Sequence, residues 1–429
     1  MKKLLRTVAI ISVFALAFAA CSKKNAKNSE WEDYIIPDSD ESSNTLESAQ
    51  NALFDIPESP ASNFAYELSE DNSGVKITAY KGVGEGSANC LIPAEIEGMP
   101  VTELASDMFR GKDYLAVLVM PDTVKSIIGD WGLCKDLKYL KAVKLSASLT
   151  SICAYMFSRC ESLKEITIPE SVTTIDRNAF YSSGLKAIYI PDSVTKIDDS
   201  SFSFCKSLKN VRFPPSLKTF SSSTFYCCDS LEAVDLPAGI TEIGDRCFFE
   251  CKSLSSVHIP DSVTKIGEEA FAGCESLTSL EIPNSVTIIE KKAFDKSGLI
   301  SLEIPDSVTE LKCTFGRCAS LTTLRLPNSL EEIDNDLLHD VDHPYAPMKS
   351  LQSVNLPSSL KNVGSKAFLD LKTLTEVIIP DSLAEVTFIP INDGTYDDFK
   401  ESRAFEGTAF NLAMQKQIKD LGYKGKFTK

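Results

Sequence analysis

Histidine is almost absent from this chain: three occur in 429 residues, alongside two tryptophans. So small a supply leaves few general bases for neutral pH and few nitrogen ligands for a metal ion. Positive charge is also short. Forty-four Lys and Arg against 60 Asp and Glu leave a formal charge of -16. A surface of that sign repels a phosphate backbone and argues against a nucleic-acid partner. Nor does the chain contain G-x-S-x-G, H-E-x-x-H, a phosphate loop or G-x-G-x-x-G, so no catalytic residue and no cofactor is expected. What is present is apolar material, 43% of all residues, enough for a large core. Length alone would suggest two or three domains.

The first residues read MKKLLRTVAIISVFALAFAAC. Lys2, Lys3 and Arg6 precede an apolar run that ends in the small pair Ala19 and Ala20, the pattern of a secretory signal. Cys21 follows at once, then the polar SKKN. This resembles the bacterial lipoprotein signal, in which the first cysteine of the mature chain is acylated, although Phe18 replaces the usual leucine-like residue. The resemblance implies a signal over residues 1–20, a lipid anchor at Cys21, and a place at the outer membrane with the chain exposed at the cell surface. A plain cleaved signal with an incidental cysteine is the alternative. No second run of about 20 apolar residues follows. From Asn28 to Val75 there are twelve acidic residues and no Lys or Arg. Low hydrophobicity with charge of one sign cannot sustain a core, so residues 21–62 read as a solvated tether, with an acidic ligand-binding tail as the alternative.

A repeat then changes the domain count. Short V-x-I-P or L-x-I-P runs place prolines at 169, 191, 214, 237, 260, 283, 305, 327, 357 and 380. Successive spacings are 22 or 23 residues except for one of 30. Within a unit, apolar residues lie six, three and one before the proline (Leu163, Ile166, Ile168) and three, six and eleven after it (Val172, Ile175, Phe180). LKAVKLSASLTSICAYMF carries Ser146 in place of the proline, and a degenerate copy around Pro121 places Trp131 near the aromatic position. The alternating stretch predicts a short strand, which proline ends because it donates nothing to a ladder. The V-T-x-I run is expected to cross back before the aromatic closes the coil. No unit can bury its apolar face alone, so roughly twelve of them stack into one solenoid.

The start of each unit matches the leucine-rich pattern L-x-x-L-x-L, but Ser171 stands where Asn or Cys would be common. The continuation, as in IPDSVTKIGEEAFAGCESL (Ile259 to Leu277), resembles the BspA-like leucine-rich repeat family of bacterial surface proteins, over roughly residues 64 to 429. That resemblance implies a mainly β repeat solenoid with few helices. It places an N-terminal cap and degenerate first repeat at 63–110, with FAYELSEDNSGVKITAY as a β-hairpin. Repeats would fill 111–390, and a helical C-terminal cap 391–429, with Leu412, Met414, Ile418 and Leu421 covering the last coil. It also implies a monomeric, non-enzymatic binding protein, an adhesin for host or extracellular-matrix proteins. A periplasm-facing scaffold of the envelope is the alternative.

Cys134, Cys160, Cys205, Cys228, Cys251, Cys274 and Cys318 each stand three after the aromatic position. A repeated position means a repeated packing role, so these read as free core thiols, with disulfides between neighbouring coils as the alternative. In the two 22-residue coils reading SGL, Ser183 and Ser297 replace the thiol, and a shortened, repacked loop is expected. His339 and His343, with Asp340 and Asp342, lie in the expanded unit and read as solvated loop, with a metal site or ligand contact as alternatives. His258 has no acid or nucleophile pattern beside it. The residue two before each proline should face outward: Val119, Lys144, Thr167, Tyr189, Arg212, Asp235, His258, Glu281, Glu303, Arg325, Asn355 and Ile378. Tyr189, Arg212, Asp235, His258, Glu281, Glu303 and Arg325 form the candidate partner-binding face, with Tyr189 and Arg212 as anchors. The acidic stretch from Asp235 to Glu303 favours a basic patch on the partner. A merely solvated face is the alternative.

Overall fold

The computed structural model describes residues 54, 56–82, 88–311, 315, 317–334, 337–338, 348–383, 386–389, 402–406, 408–424 and 426–427. The expected signal, Cys21, most of the acidic segment and the loop with His339 and His343 lie outside them.

Local sequence dictates a three-sided coil. One side is a three-residue strand, as in Ala187–Tyr189 and Asn210–Arg212, paired in parallel with Tyr189 opposite Arg212. The proline then opens a turn, with Val194 N–H donating to the Pro191 carbonyl at 3.0 Å. The V-T-x-I run does not merely cross back. Its β-branched residues build a second parallel ladder of two-residue strands, and five of these from Thr219–Phe220 to Glu310–Leu311 form one sheet. The third side is the A-F-x-x-C turn. Here the backbone turns left-handed two residues before and two after the phenylalanine, at Asn178 and Ser182, Ser200 and Phe204, Arg246 and Glu250. Such residues cost about 1 kcal/mol or more each. They persist because they hold N–H groups toward the next coil: Phe180 donates to Ser201 O at 2.8 Å and Phe202 to Thr224 O at 3.0 Å.

Stacked, about thirteen turns share a continuous core. Leu163, Ile166, Ile168, Val172, Ile175 and Phe180 are all buried, as the offsets predict. Phenylalanines 157, 180, 202, 225, 248, 271, 294 and 315 stack along it, with centroids 5.2–6.2 Å apart and ring planes within 17°. Ser171, the residue unlike the common pattern, donates its hydroxyl to Leu149 O of the preceding coil. Ser193, Ser262 and Ser307 repeat the bond. The serine row therefore ties coil to coil.

One assignment is corrected. Trp131 is not at the aromatic position. Cys134 is, since its N–H donates to Met156 O just as Phe157 N–H donates to Ala179 O, and Leu137 fills the place of the thiol. In that coil Leu133 and Cys134 exchange the large and small volumes of Ala179 and Phe180, so the core has no need of the indole. Trp131 lies on the surface between Arg110 (4.3 Å) and Lys135 (4.4 Å).

Both ends are capped. The hairpin of Phe64–Leu68 and Val75–Tyr80 is antiparallel, and its second strand continues in parallel onto Met99–Ala105 of the first coil. At the other end Phe405 stacks on Phe368 at 4.8 Å. The helix Leu412–Asp420 starts at Asn411, whose side chain accepts from Met414 N–H at 2.9 Å. Ile418 and Leu421 are buried and Met414 packs against the core, but Leu412, expected on the covering face, is 84% exposed. No helix among the described residues is long and apolar enough to cross a membrane.

Candidate binding surface

Strand alternation turns every second residue of the three-residue strands away from the core. The structure brings the seven candidates onto one row. Tyr189 faces Arg212, Asp235 faces His258 and Glu303 faces Arg325 across parallel pairs, while Glu281 lines the same groove as Glu303 and Arg325. Asp235, His258, Glu281 and Glu303 are exposed; Tyr189, Arg212 and Arg325 are half-buried. Val119 departs from the expected pattern. It is buried, at 6% exposure, in the strand wedged between Asn89–Leu91 and Ala142–Lys144, so the exposed row begins at Lys144.

The two arginines are preorganised. Arg212 lies over the Tyr189 ring at 4.7 Å, donates to Ile190 O at 3.1 Å and pairs with Asp192. Arg325 repeats the arrangement five coils on, donating to Ile304 O at 3.3 Å and reaching Glu303 and Asp306, each at 3.3 Å. The Asp306 carboxyl is held below its ordinary range, chiefly by the Asn328 N–H it accepts; partial burial opposes this, and the Asn328 side chain and Arg325 add to it. Arginines pinned by backbone carbonyls lose little rotamer freedom when a partner docks.

Beside this row the face carries a groove of about 760 Å³. Its floor is Ser256, Ser279 and Ser301, the residues four before successive prolines. This row was missed in the sequence reading, although its signal was legible: Ala187, Asn210, Ala233, Ser256, Ser279 and Ser301 are all small.

The other candidates do not join the face. Every described cysteine is a free thiol. Cys205, Cys228, Cys251, Cys274 and Cys318 point into the core and donate to the carbonyl of the preceding coil's phenylalanine at 3.0–3.2 Å. Burial pushes Cys205 up to about 11 and Cys318 to about 12. Ser183 and Ser297 replace the thiol in their coils and contact Cys205 and Cys318. Among the described residues no group of His, Cys, Asp and Glu could hold a metal ion. Also missed was a half-buried aromatic row on the turn side, where Tyr181, Phe204, Tyr226 and Phe249 follow one another at 4.8–5.3 Å. It stands one residue after the core phenylalanine at Tyr181, Tyr226 and Phe249 but two after it at Phe204, so the offset is not constant.

The family model of the BspA type leucine rich repeat region matches six copies over residues 132–255, 241–344 and 341–388. No curated protein matches the chain. Among solved structures, a leucine-rich repeat protein from Bacteroides ovatus is 22% identical, covers 87% of this chain and 99% of its own, and superposes with a TM-score of 0.67. A leucine rich cell surface protein from Faecalibacterium prausnitzii is 20% identical, with 77% and 96% covered and a TM-score of 0.33. The pneumococcal vaccine antigen PcpA is also 20% identical, with 76% and 98% covered and a TM-score of 0.46.

Proposed function

The chain belongs to the BspA type leucine-rich repeat family, and from that premise we propose a lipid-anchored cell-surface protein that binds host or extracellular-matrix proteins through its three-residue sheet face. The carrying observation is that row itself. Inward neighbours are Val, Ile or Leu in nearly every coil, while the outward residue ranges from Tyr189 through Asp235 to Arg325. The mechanism is many weak contacts on a rigid surface, where little conformational entropy remains to be lost. Cys21 would carry the acyl chains and the acidic segment would hold the solenoid off the membrane. No catalytic role is proposed.

The test uses purified protein on immobilised fibronectin, laminin and collagen. Tyr189→Ala with Arg212→Ala should weaken binding to the responsive surface roughly tenfold or more, as for paired anchors. The thermal midpoint should move only by ~2 °C, because the Arg212 contacts are largely solvent-screened. Unchanged binding would move the contact face elsewhere, and silence on all three surfaces would contradict a matrix adhesin.

A further inference from the structure

We propose that the groove over Ser256, Ser279 and Ser301 receives an extended, lysine- or arginine-bearing polypeptide segment of the partner. This rests on the sheet face being the binding surface and names which part of it sets the partner's chemistry. Three observations converge.

The groove is a concavity of about 760 Å³ where the three-residue ladder is interrupted between the strands Ser256–His258 and Ser301–Glu303. Its outward lining is polar, with serine hydroxyls below and Glu281, Glu303 and Arg325 along one side, which suits a main chain better than an apolar small molecule. Width points to an extended chain. On the other side the lining reaches Ser255, three residues along the strand from His258 of the outward row. That is about 10 Å between Cα atoms before side chains intrude, too narrow for a helix ~10–12 Å across.

Charge completes the assignment. Arg325 is the only cation lining the groove, and Glu303 and Asp306 already share it. Glu281 is exposed and has no ion-pair partner among the described residues. Asp235 adds a further exposed carboxylate upstream on the row. The carboxylates therefore outnumber the cations, and a cationic side chain laid over the serine floor would meet Glu281 directly. Short floor residues allow the partner's backbone to come close, so its charges pair at short range where screening is weakest.

The probe is fluorescein-labelled decalysine, followed by anisotropy at about 0.15 M salt. An acidic protein attracts polylysine everywhere, so site and bulk charge are separated by two variants of equal net charge. Glu281→Lys with Glu303→Lys reverses the groove. Glu242→Lys with Glu332→Lys makes the same reversal at exposed positions of the other ladder. The groove variant should lose roughly tenfold or more in affinity, and the control should stay within about twofold of wild type. Should the lysine pair disturb the thermal midpoint, Glu281→Gln with Glu303→Gln keeps the shape and should still lose affinity. Equal losses in both variants, or no binding of decalysine to wild type, would overturn the proposal. Failure here leaves the broader reading separately testable. If matrix binding falls with Tyr189→Ala and Arg212→Ala but survives the groove reversal, the face stands and the groove assignment does not.

Discussion

Phe271 sits between Phe248 and Phe294, at 5.5 and 6.0 Å, with no solvent exposure. Its ring is held by both neighbouring coils, so the cavity left by Phe271→Ala cannot close without breaking the inter-coil hydrogen bonds on the turn. Stability should fall by ~3–5 kcal/mol in urea unfolding. A loss below about 1 kcal/mol would mean that the ring is not packed as described. This residue was legible because the aromatic recurs at a fixed offset eleven after the proline. The thiol beside it was legible for the same reason, and its partner was not: that each thiol donates to the preceding coil's phenylalanine carbonyl depends on the turn's backbone. Trp131 shows where an offset argument misleads. In a coil without the A-F pair the nearest aromatic was given the core position, whereas Leu133 and Cys134 fill that volume with large and small exchanged.

In the two 22-residue coils that read SGL, glycine lets the turn close against the preceding coil. Gly184 and Gly298 donate their N–H groups to Cys160 O and Cys274 O of the preceding coil. A Cβ at either would collide with the carbonyl oxygen of Glu161 or Glu275. Gly298→Ala should therefore push the two coils apart and cost ~1–3 kcal/mol, as overpacking does. Thermal unfolding checks this, and a variant as stable as wild type would remove close coil contact as the reason for the SGL sequence. At this scale the three-residue strands were readable from alternation and the C-terminal helix from its spacing, while the hairpin cap came with the family resemblance. The second ladder was not, because two residues per coil give no periodicity to detect. Nor were the left-handed turn positions, which fall mostly on residues such as Asn178, Ser200 and Arg246 and only in places on glycine, as at Gly273. Inter-coil hydrogen bonds impose that conformation; residue preference does not.

As a whole the molecule is quasi-one-dimensional, each coil supported only by its neighbours, so both ends need covers. The hairpin and the helix supply them, with the Tyr423 hydroxyl accepting from Phe405 N–H at 3.4 Å in the last described coil. Such a rod offers length, and the outward row with the groove beside it is the part of that length proposed to bind. That the row faces solvent was legible from alternation. Its preorganised arginines were not, since Arg212 and Arg325 reach carbonyls and aspartates of the preceding coil. The central claim, a solenoid displayed outside the cell, is tested most directly with a non-permeant protease on intact cells of the source organism, followed by blotting for this protein. The acidic segment between Asn28 and Ser62 carries charge of one sign, with no Lys or Arg, and should be cut readily. Loss of signal while a periplasmic control stays intact is the predicted result. Survival until the cells are lysed would contradict surface display and point to a scaffold facing the periplasm.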